Sequence, residues 1–373
     1  MSITPHDERF MAAAIRLSRW HLGRTAINPS VGCLIVKDGV IVGRAVTALG
    51  GRPHAETQAL SEAGALARGA TAYVTLEPCS HHGKTPPCAE ALIAYGVARV
   101  VVSVTDPDPR VSGRGIAMLR EAGIEVDAGV LEAVGRQSLA AYLTRQTKNR
   151  PYVTLKLAVS ADGMIGRQGA GQVAITGPEA RAQVQALRAE TDAILVGIGT
   201  AIADDPSLTV RSPGPESQSP IRIILDPSLA LPLTSKLVGT AREVPVIVVA
   251  SEEGSLPQAA GDIASTEMDT RRAALEAAGV EVVHCNPYHP EVLLPALATR
   301  GISSLLVEGG AKTARLFLEA GLVDRIQLYQ APVVIGEGGI ESPLDATDIP
   351  SGFAHTGTLM FGSDRLDEYE RGL

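Results

Sequence analysis

The sequence predicts a two-part α/β protein in which each part has its own sheet covered by helices. Two observations predict this class. Short runs rich in Val, Ile and Leu alternate with amphipathic segments of helical length along the whole chain, a pattern typical of layered α/β domains. The polar segment 144–151 interrupts the alternation, and boundaries between domains fall in such segments. We therefore expect one domain over residues 1–148 and a second over residues 149–373.

Composition excludes several classes of protein. The formal net charge of −8 opposes nucleic-acid binding, which normally needs a basic face. No apolar run reaches the roughly eighteen residues of a membrane span. The first residues show neither a basic nor an apolar signal region, so we expect no secretory signal. Four cysteines in 373 residues indicate a reducing cytoplasm instead of a disulfide scaffold. One anionic small substrate remains compatible with this charge.

The elements of the first domain follow in order. Apolar residues at mixed helical spacing predict an amphipathic helix over residues 7–21 that packs on a sheet. Two apolar runs around Asp38-Gly39 predict a hairpin. Pro53 suits the start of a helix, because its missing N–H is not needed there. The remaining predicted elements are a helix over 54–66, a strand over 70–76, a helix over 89–94, a strand over 97–105, a helix over 113–122 and a strand at 124–126.

A candidate metal site lies where the helix predicted over 54–66 begins and the strand predicted over 70–76 ends. His54, Cys79 and Cys88 offer one imidazole and two thiols, a set that holds a catalytic zinc and leaves its fourth position open for water. Glu56 lies two residues after His54. In the first turn of a helix its carboxylate reaches a water on the metal without being a ligand itself. Such an acid is able to move the proton of that water.

Other interpretations of these residues stay open. A lone His-Ala-Glu is common by chance, and a single buried Cys is usually a small apolar residue. A structural zinc would need a fourth protein ligand, for which His81 and His82 are the obvious candidates. Glu56 favours a catalytic site, because a structural site has no use for a positioned acid.

The combined motif resembles that of the zinc nucleobase and nucleoside deaminases, His-x-Glu followed by Pro-Cys-x-x-Cys. Here eight residues instead of two separate Cys79 from Cys88. This longer spacing resembles the deaminase half of the bifunctional riboflavin-biosynthesis deaminase/reductase family. The resemblance implies that Asn28 helps to form the pyrimidine pocket, although a turn-forming Asn before Pro would look the same. We hypothesise that His81, His82 and Lys84 neutralise a substrate phosphate.

The second half resembles the reductase half of the same family. The resemblance rests on a strand with an Asp-Gly turn over 151–163, a helix from 176–181 to Arg188, and the stretches 193–197, 200–211 and 307–313. With the first-half motifs it covers essentially the whole chain. It implies a cytidine-deaminase-like three-layer N-terminal domain and a dihydrofolate-reductase-like C-terminal domain. Further predicted elements are strands at 221–225, 244–249, 280–283 and 305–307, helices near 270–278 and 290–299, a loop over 211–220, and sheet-completing segments from 322–331 to the end.

Glycines before a predicted helix at 309–313 suit a dinucleotide pyrophosphate, because helix N-termini offer free N–H groups. Gly197-Ile198-Gly199 is no Rossmann fingerprint, since no third glycine follows at the required spacing. The resemblance implies NADPH contacts by Ala158, Ala174, Thr200, Asp204, Gly310, Ala311, Lys312, Thr313, Ala314, Arg315 and Leu316. It implies substrate contacts by Gln172, Arg188, Leu208, Arg211 and Glu308. The guanidinium groups of Arg188 and Arg211 suit a bidentate grip on the substrate phosphate. Lys156 on the first strand of this half either contacts the sugar of the substrate or caps a face of the sheet.

Two positions depart from the family pattern. Ala174 stands where members often have Trp, which removes a stacking surface beside the cofactor and predicts weaker NADPH binding. Thr47 stands where many members have His.

The resemblance implies a cytoplasmic enzyme, a dimer or larger homo-oligomer, that uses zinc and Glu56 to deaminate 2,5-diamino-6-ribosylamino-4(3H)-pyrimidinone 5′-phosphate. It would then use NADPH to reduce the ribosyl side chain. Three alternatives remain open at the level of sequence. One is a nucleic-acid-editing deaminase, which the acidic charge opposes. Another is a deaminase whose degenerate reductase domain senses a ligand. The last is a regulatory protein with a structural zinc, which Glu56→Ala would distinguish because only catalysis needs that acid.

Overall fold

The structure is a computed structural model, and it describes residues 3–83, 86–211, 219–251 and 263–372. The chain divides into two compact units, with the division between Asn149 and Arg150. No helix within the described ranges is long and apolar enough to cross a lipid bilayer.

The N-terminal domain contains a five-stranded sheet in the order β2-β1-β3-β4-β5. β1 is antiparallel to β2 and β3, whereas β3, β4 and β5 are parallel to one another. Its strands are β1 Gly32–Lys37, β2 Val40–Val46, β3 Thr71–Leu76, β4 Arg99–Val104 and β5 Glu125–Ala128. Its helices are α1 Pro5–Ser18, α2 Ala55–Ala63, α3 Cys88–Tyr95, α4 Arg114–Glu121, α5 Glu132–Ser138 and α6 Ala140–Lys148.

Both faces of this sheet are apolar, because successive residues of a strand point to opposite faces. Cys33 and Ile35 of β1 join a core with residues of α2, α3 and α4. Leu34 and Val36 pack on the other face with Met11 of α1. The predicted layered α/β arrangement of this half is confirmed.

Local signals place most of the first-domain elements. The predicted hairpin is confirmed, with Asp38 at φ 49° and Gly39 at φ 77°, as its two-residue turn requires. Helix α1 begins earlier than predicted because Thr4 caps it: the Thr4 side chain accepts from the Asp7 N–H, and the Asp7 side chain accepts from the Thr4 N–H. The predicted end at residue 21 is a separate 3₁₀ turn, Arg19–His21.

A helix that was not predicted extends into the segment where the domain boundary was expected. Segment 144–151 was expected to break the α/β pattern, but α6 continues through it to Lys148. The helix buries Tyr142 and Leu143 while its last turn is polar. Asn149 ends it in the left-handed conformation, with φ 50°, a common end for a helix.

The C-terminal domain contains a nine-stranded sheet in the order β11-β10-β9-β8-β12-β6-β13-β16-β15, with β14-β7 as a separate pair. The strands from β11 to β13 are parallel, and β16 and β15 are added antiparallel. Its strands are β6 Tyr152–Val159, β7 Met164–Arg167, β8 Ala193–Gly197, β9 Ile221–Leu225, β10 Val246–Ala250, β11 Glu281–His284, β12 Ser304–Val307, β13 Arg325–Gln330, β14 Gly339–Glu341, β15 Phe353–Phe361 and β16 Asp364–Arg371. Its helices are α7 Pro178–Ala189, α8 Ile198–Asp204, α9 Lys236–Gly239, α10 Ile263–Ala277, α11 Pro290–Thr299 and α12 Ala311–Glu319.

The predicted strands and helices of this half are confirmed, with small shifts at the ends of β10 and β11, whereas α10 begins at Ile263 instead of near residue 270. The predicted loop over 211–220 lies largely outside the described residues. Because β8, β12 and β6 are parallel neighbours, the residues that follow them share one edge of the sheet. That edge is the usual place for a ligand site in an α/β fold.

Candidate active sites

The three candidate metal ligands come together beyond the carboxyl end of β3. His54 precedes α2, Cys79 lies in the loop after β3, and Cys88 begins α3. The His54 Nδ1 atom lies 3.7 Å from the Cys79 Sγ atom and 3.4 Å from the Cys88 Sγ atom. All three ligand atoms lie within 4.8 Å of one another.

This donor set fits zinc. Bonds of about 2.0 Å to nitrogen and about 2.3 Å to sulfur place tetrahedral ligand atoms about 3.6 Å apart, close to the nitrogen–sulfur distances of 3.7 and 3.4 Å. The pKa of Cys79 is lowered to about 4, first by a hydrogen bond with the Cys88 thiol and, against the effect of burial, by His54 as well. Cys79 is therefore a thiolate at neutral pH, the form that binds a metal.

Glu56 lies in the first turn of α2 and is only 4% exposed. Its carboxyl group is hydrogen-bonded to the Cys88 thiol. Burial raises the pKa of Glu56 to about 7, and the charge of Cys79 adds to this rise. A bound cation would act in the opposite direction. A buried acid beside the ligand set is suited to moving protons near neutral pH.

Glu77, which was not predicted as a functional residue, anchors the loop that carries Cys79. It is 3% exposed, and its carboxylate accepts four backbone N–H groups at 3.0 to 3.3 Å, from Asp106, Gly113, Gly115 and Ile116. Three of these donors lie at the start of α4, which has no side-chain cap of its own. The sequence carried one signal for this role: Gly113, which precedes α4, has no side chain that could cap the helix.

The segment after β4 lies against the zinc loop. The Ser80 hydroxyl donates to the Arg110 carbonyl at 3.3 Å, and the Arg110 guanidinium binds the carboxylate of Asp108. The Tyr142 hydroxyl lies 3.0 Å from both carboxylate oxygens of Asp106. Burial raises the pKa of Asp106 to about 6. The Asp106–Arg110 segment therefore lies beside the loop that carries Cys79.

Asn28 packs against the loop that leads to His54. A Cβ atom on Gly51 would lie 2.5 Å from its Nδ2 atom, and Gly51 precedes His54 by three residues. The Thr47 side chain binds the main chain: its hydroxyl accepts a hydrogen bond from the Val31 N–H at 2.9 Å. The role of Asn28 in the pyrimidine pocket stays a prediction.

The structure describes only some of the residues that were predicted to neutralise the substrate phosphate. The His81 Nδ1 atom is buried without a partner among the described residues. The His82 ring lies on the surface, 3.5 Å from the Glu90 carboxylate. Lys84 lies outside the described residues. Arg52, which the sequence did not single out, has its Nη2 atom 3.4 Å from where a Cβ atom of Gly83 would be.

In the C-terminal domain, Lys156, Arg188 and Glu308 come together beside β6 and β12. The Arg188 guanidinium donates to Glu308 through Nε at 2.8 Å and Nη2 at 2.9 Å. Burial lowers the pKa of Lys156, and the Glu308 carboxylate opposes that shift. Although burial alone would raise the pKa of Glu308, Arg188 and Lys156 hold it below its usual value. The guanidinium predicted to grip phosphate is thus engaged by Glu308, since a buried carboxylate needs a counter-charge.

The glycine loop before α12 lies against the start of α8. The Gly310 N–H donates to the Thr200 hydroxyl at 3.1 Å. Cβ atoms on Gly197 and Gly309 would lie 2.6 and 2.7 Å from Thr313 side-chain atoms, so this close packing requires both glycines. The first N–H groups of α12 have no partner within the helix and suit a phosphate.

Other predicted contact residues lie in different surroundings. The side chains of Leu208, Ala314 and Leu316 pack in or against apolar cores. Ala158 is half-buried beside a small core cluster. Asp204 is half-buried, and burial raises its pKa. Exposed predicted residues are Gln172, Ala174, Arg211, Lys312 and Arg315.

Known proteins match both halves of the chain. The cytidine and deoxycytidylate deaminase zinc-binding region matches residues 4–104, and the RibD C-terminal domain matches residues 151–364. Riboflavin biosynthesis protein RibD of Aquifex aeolicus (strain VF5) is 42% identical over 332 residues, 89% of this chain and 88% of the relative.

Solved structures agree over the full length. A structure of Acinetobacter baumannii RibD is 36% identical, has a TM-score of 0.84 and covers 99% of both chains. A Thermotoga maritima diaminohydroxyphosphoribosylaminopyrimidine deaminase/5-amino-6-(5-phosphoribosylamino)uracil reductase is 34% identical, with a TM-score of 0.84 over 98% of this chain and 99% of the other.

The fold and the His-Cys-Cys site with its buried acid define a zinc-dependent deaminase of the cytidine-deaminase type, joined to a reductase domain of dihydrofolate-reductase-like fold. It is an enzyme with hydrolase and oxidoreductase activities. The chain belongs to the RibD family of bifunctional riboflavin-biosynthesis enzymes. The resemblance that the motifs predicted is confirmed.

Proposed function

We propose that this chain converts 2,5-diamino-6-ribosylamino-4(3H)-pyrimidinone 5′-phosphate into 5-amino-6-(5-phosphoribitylamino)uracil in two steps. Hydrolytic deamination in the N-terminal domain comes first, and NADPH-dependent reduction of the ribosyl side chain in the C-terminal domain follows. The observation that carries this proposal is the buried Glu56 beside His54, Cys79 and Cys88. A degenerate reductase domain is not favoured, because the reductase family model matches residues 151–364.

In the first step, His54, Cys79 and Cys88 would hold the metal. When bound, zinc supplies an acidic water as nucleophile. Glu56 takes a proton from the attacking water and delivers it to the leaving amine, so that water adds to the ring carbon and ammonia departs. Burial of Glu56 supports this shuttle, because it raises the carboxyl pKa against the lowering effect of a bound cation, as a group that must both accept and release a proton requires. Asn28 is proposed to orient the pyrimidine.

In the second step, the N–H groups at the start of α12 would bind the cofactor pyrophosphate. When bound, NADPH supplies hydride. Lys156 and Glu308 are proposed to face the sugar of the substrate, with Arg188 holding Glu308 in place. Arg211 is exposed and is proposed to bind the substrate phosphate. This is consistent with the Arg188 guanidinium being bound to Glu308.

The Glu56→Gln variant tests the deaminase assignment. Loss of general acid–base catalysis should lower the rate of ammonia release by at least about a hundredfold, while zinc content stays at the wild-type value. Glu62→Gln is the matched control on the same helix, because Glu62 is exposed and accepts only from the Arg44 N–H among the described contacts. Rapid deamination by a zinc-loaded Glu56→Gln enzyme would overturn the assignment.

We also propose a cytoplasmic location and a homo-oligomer that pairs through the reductase domain. No disulfide bond joins the four cysteines, all of which lie among the described residues, and this suits a reducing compartment. The β15 strand is at an edge of the sheet and exposes Leu359 and Met360 at 49% and 61%. Light scattering of the purified chain tests the assembly: a monomeric mass at working concentration would refute it.

A further inference from the structure

Tyr329 lies in the reductase domain beside the proposed substrate residues and was not singled out from the sequence. It sits on β13, opposite Ala158 of β6 in register, and it is 0% exposed. Its ring packs with Ala180 and Val184 of α7, and the Phe361 ring lies 6.4 Å away. Neighbours on both sides therefore fix the orientation of the ring.

The Lys156 ammonium lies over the face of this ring, with Nζ 5.5 Å from the ring centroid. That distance is within the range of a cation–π interaction. Within the described ranges, no hydrogen bond or ion pair of Nζ is found. The charged groups around the pair are Glu308 and Arg188, which act on Lys156, and Glu368, which acts on Tyr329 together with Glu308. The ring is thus the observed contact that holds this ammonium.

The Tyr329 hydroxyl has no hydrogen-bond partner among the described residues. The hydroxyl therefore does not fix the side chain, whereas the packed ring does. Phenylalanine would keep the contacts of the ring and its π face, and leucine would remove both. This separates the two parts of the side chain in an experiment.

We propose that Tyr329 is a positioning residue of the reductase site, whose ring holds the Lys156 ammonium where it meets the pyrimidine ribosyl phosphate. The inference rests on the proposed role of Lys156 in substrate binding. Without the ring, the ammonium would turn toward the nearby Glu308 carboxylate, because opposite charges attract strongly in a buried site. Lys156 and Glu308 would then bind each other instead of the substrate.

A double-mutant cycle on ligand binding tests the proposal. Binding of the deaminated substrate, 5-amino-6-(5-phosphoribosylamino)uracil, is measured by calorimetry with NADPH withheld, so that no turnover occurs. Tyr329→Leu should raise the Kd about tenfold, and Tyr329→Phe should restore affinity close to that of wild type. In the Lys156→Met background, Tyr329→Leu should have almost no further effect. Ammonia release by the other domain and thermal melting report folding, and Tyr329→Met replaces Tyr329→Leu if the latter is unstable.

The pH profile of reduction gives an independent readout. Because the ring favours the charged ammonium, its loss should move the alkaline limb of the reductase kcat/KM to lower pH by about one unit. Tyr329→Phe should leave this limb in place. Additive effects of the Lys156 and Tyr329 changes, or equal profiles for Leu and wild type, would overturn the proposal. If Lys156→Met binds as tightly as wild type, the role of Lys156 fails instead, which is a separate result.

Discussion

Arg188 and Glu308 form a two-pronged ion pair in the reductase domain, at 2.8 and 2.9 Å. Both side chains are largely buried, at 12% and 10% exposure. They are 120 residues apart in sequence, with Arg188 in the last turn of α7 and Glu308 directly after β12. The pair fixes the carboxylate next to Lys156.

Removing one partner should therefore be more damaging than removing both. Arg188→Ala leaves a buried carboxylate without its counter-charge, and we expect the free energy of unfolding of the reductase domain to fall by about 3–5 kcal/mol. The double variant Arg188→Met/Glu308→Leu should lose less, because no charge remains buried. Urea unfolding of the three proteins measures this. Equal stability of Arg188→Ala and wild type would show that the pair does not hold Glu308.

Glu77 should prove essential to the zinc loop. Glu77→Ala removes the acceptor of four backbone N–H groups, so we expect a loss of about 3 kcal/mol or more. Cys79 lies two residues away, and zinc should pass to a chelator faster than in wild type. Glu77→Gln keeps one acceptor oxygen and should be intermediate. Unchanged melting and zinc retention in Glu77→Ala would contradict this role.

Asp106 should make stability depend on pH. Its folded pKa of about 6 lies above the ordinary 3.8, so between these values the unfolded chain releases the proton first. The free energy of unfolding should then fall by up to about 3 kcal/mol as pH rises from about 4 to about 6. Asp106→Asn should lack this component, while its Oδ1 atom retains the acceptor position used by Tyr142 and the Asp108 N–H.

Urea unfolding of both proteins at about pH 4.5 and about pH 6.5 measures the difference. The comparison with Asp106→Asn cancels the pH dependence of groups that both proteins share. A constant difference in stability between the two proteins at both pH values would show that Asp106 is not the group that titrates.

Ala174 should limit cofactor affinity. The side chain is exposed, so Trp can be accommodated there without repacking a core. Ala174→Trp should lower the KM for NADPH about threefold to tenfold by adding a stacking surface. Ala174→Leu adds apolar bulk without an aromatic face and should have a smaller effect. Ammonia release should be unchanged in both variants, and an unaltered KM with Trp would remove Ala174 from the cofactor side of the site.

Local signals in the sequence were sufficient for many features. The hairpin at Asp38-Gly39 follows from a two-residue turn, and the ligands His54, Cys79 and Cys88 follow from residue type and spacing. Apolar runs predicted the strands, because burial on both faces leaves a continuous pattern. Helix α6 was not predicted, because the polar residues of its last turn were interpreted as a break in the α/β pattern.

Contacts between distant residues could not be predicted in the same way. The pairing of Arg188 with Glu308 and the placement of Tyr329 under Lys156 depend on strand order, which hydrophobic periodicity does not encode. The hydrogen bonds that the Glu77 carboxylate accepts from N–H groups at the start of α4 depend on the same strand order. For that reason the sequence did not reveal that the Arg188 guanidinium is bound to the Glu308 carboxylate.

The measurement that tests the central claim most directly follows both reactions of the purified, zinc-loaded chain on 2,5-diamino-6-ribosylamino-4(3H)-pyrimidinone 5′-phosphate. Ammonia release is recorded first, and NADPH consumption is recorded in the same sample. Two active domains working in order predict that NADPH is consumed only after ammonia has appeared, in equal final amounts. Ammonia without NADPH consumption would contradict the reductase assignment and point to Ala174, and a zinc-loaded chain that produces neither signal would contradict the account as a whole.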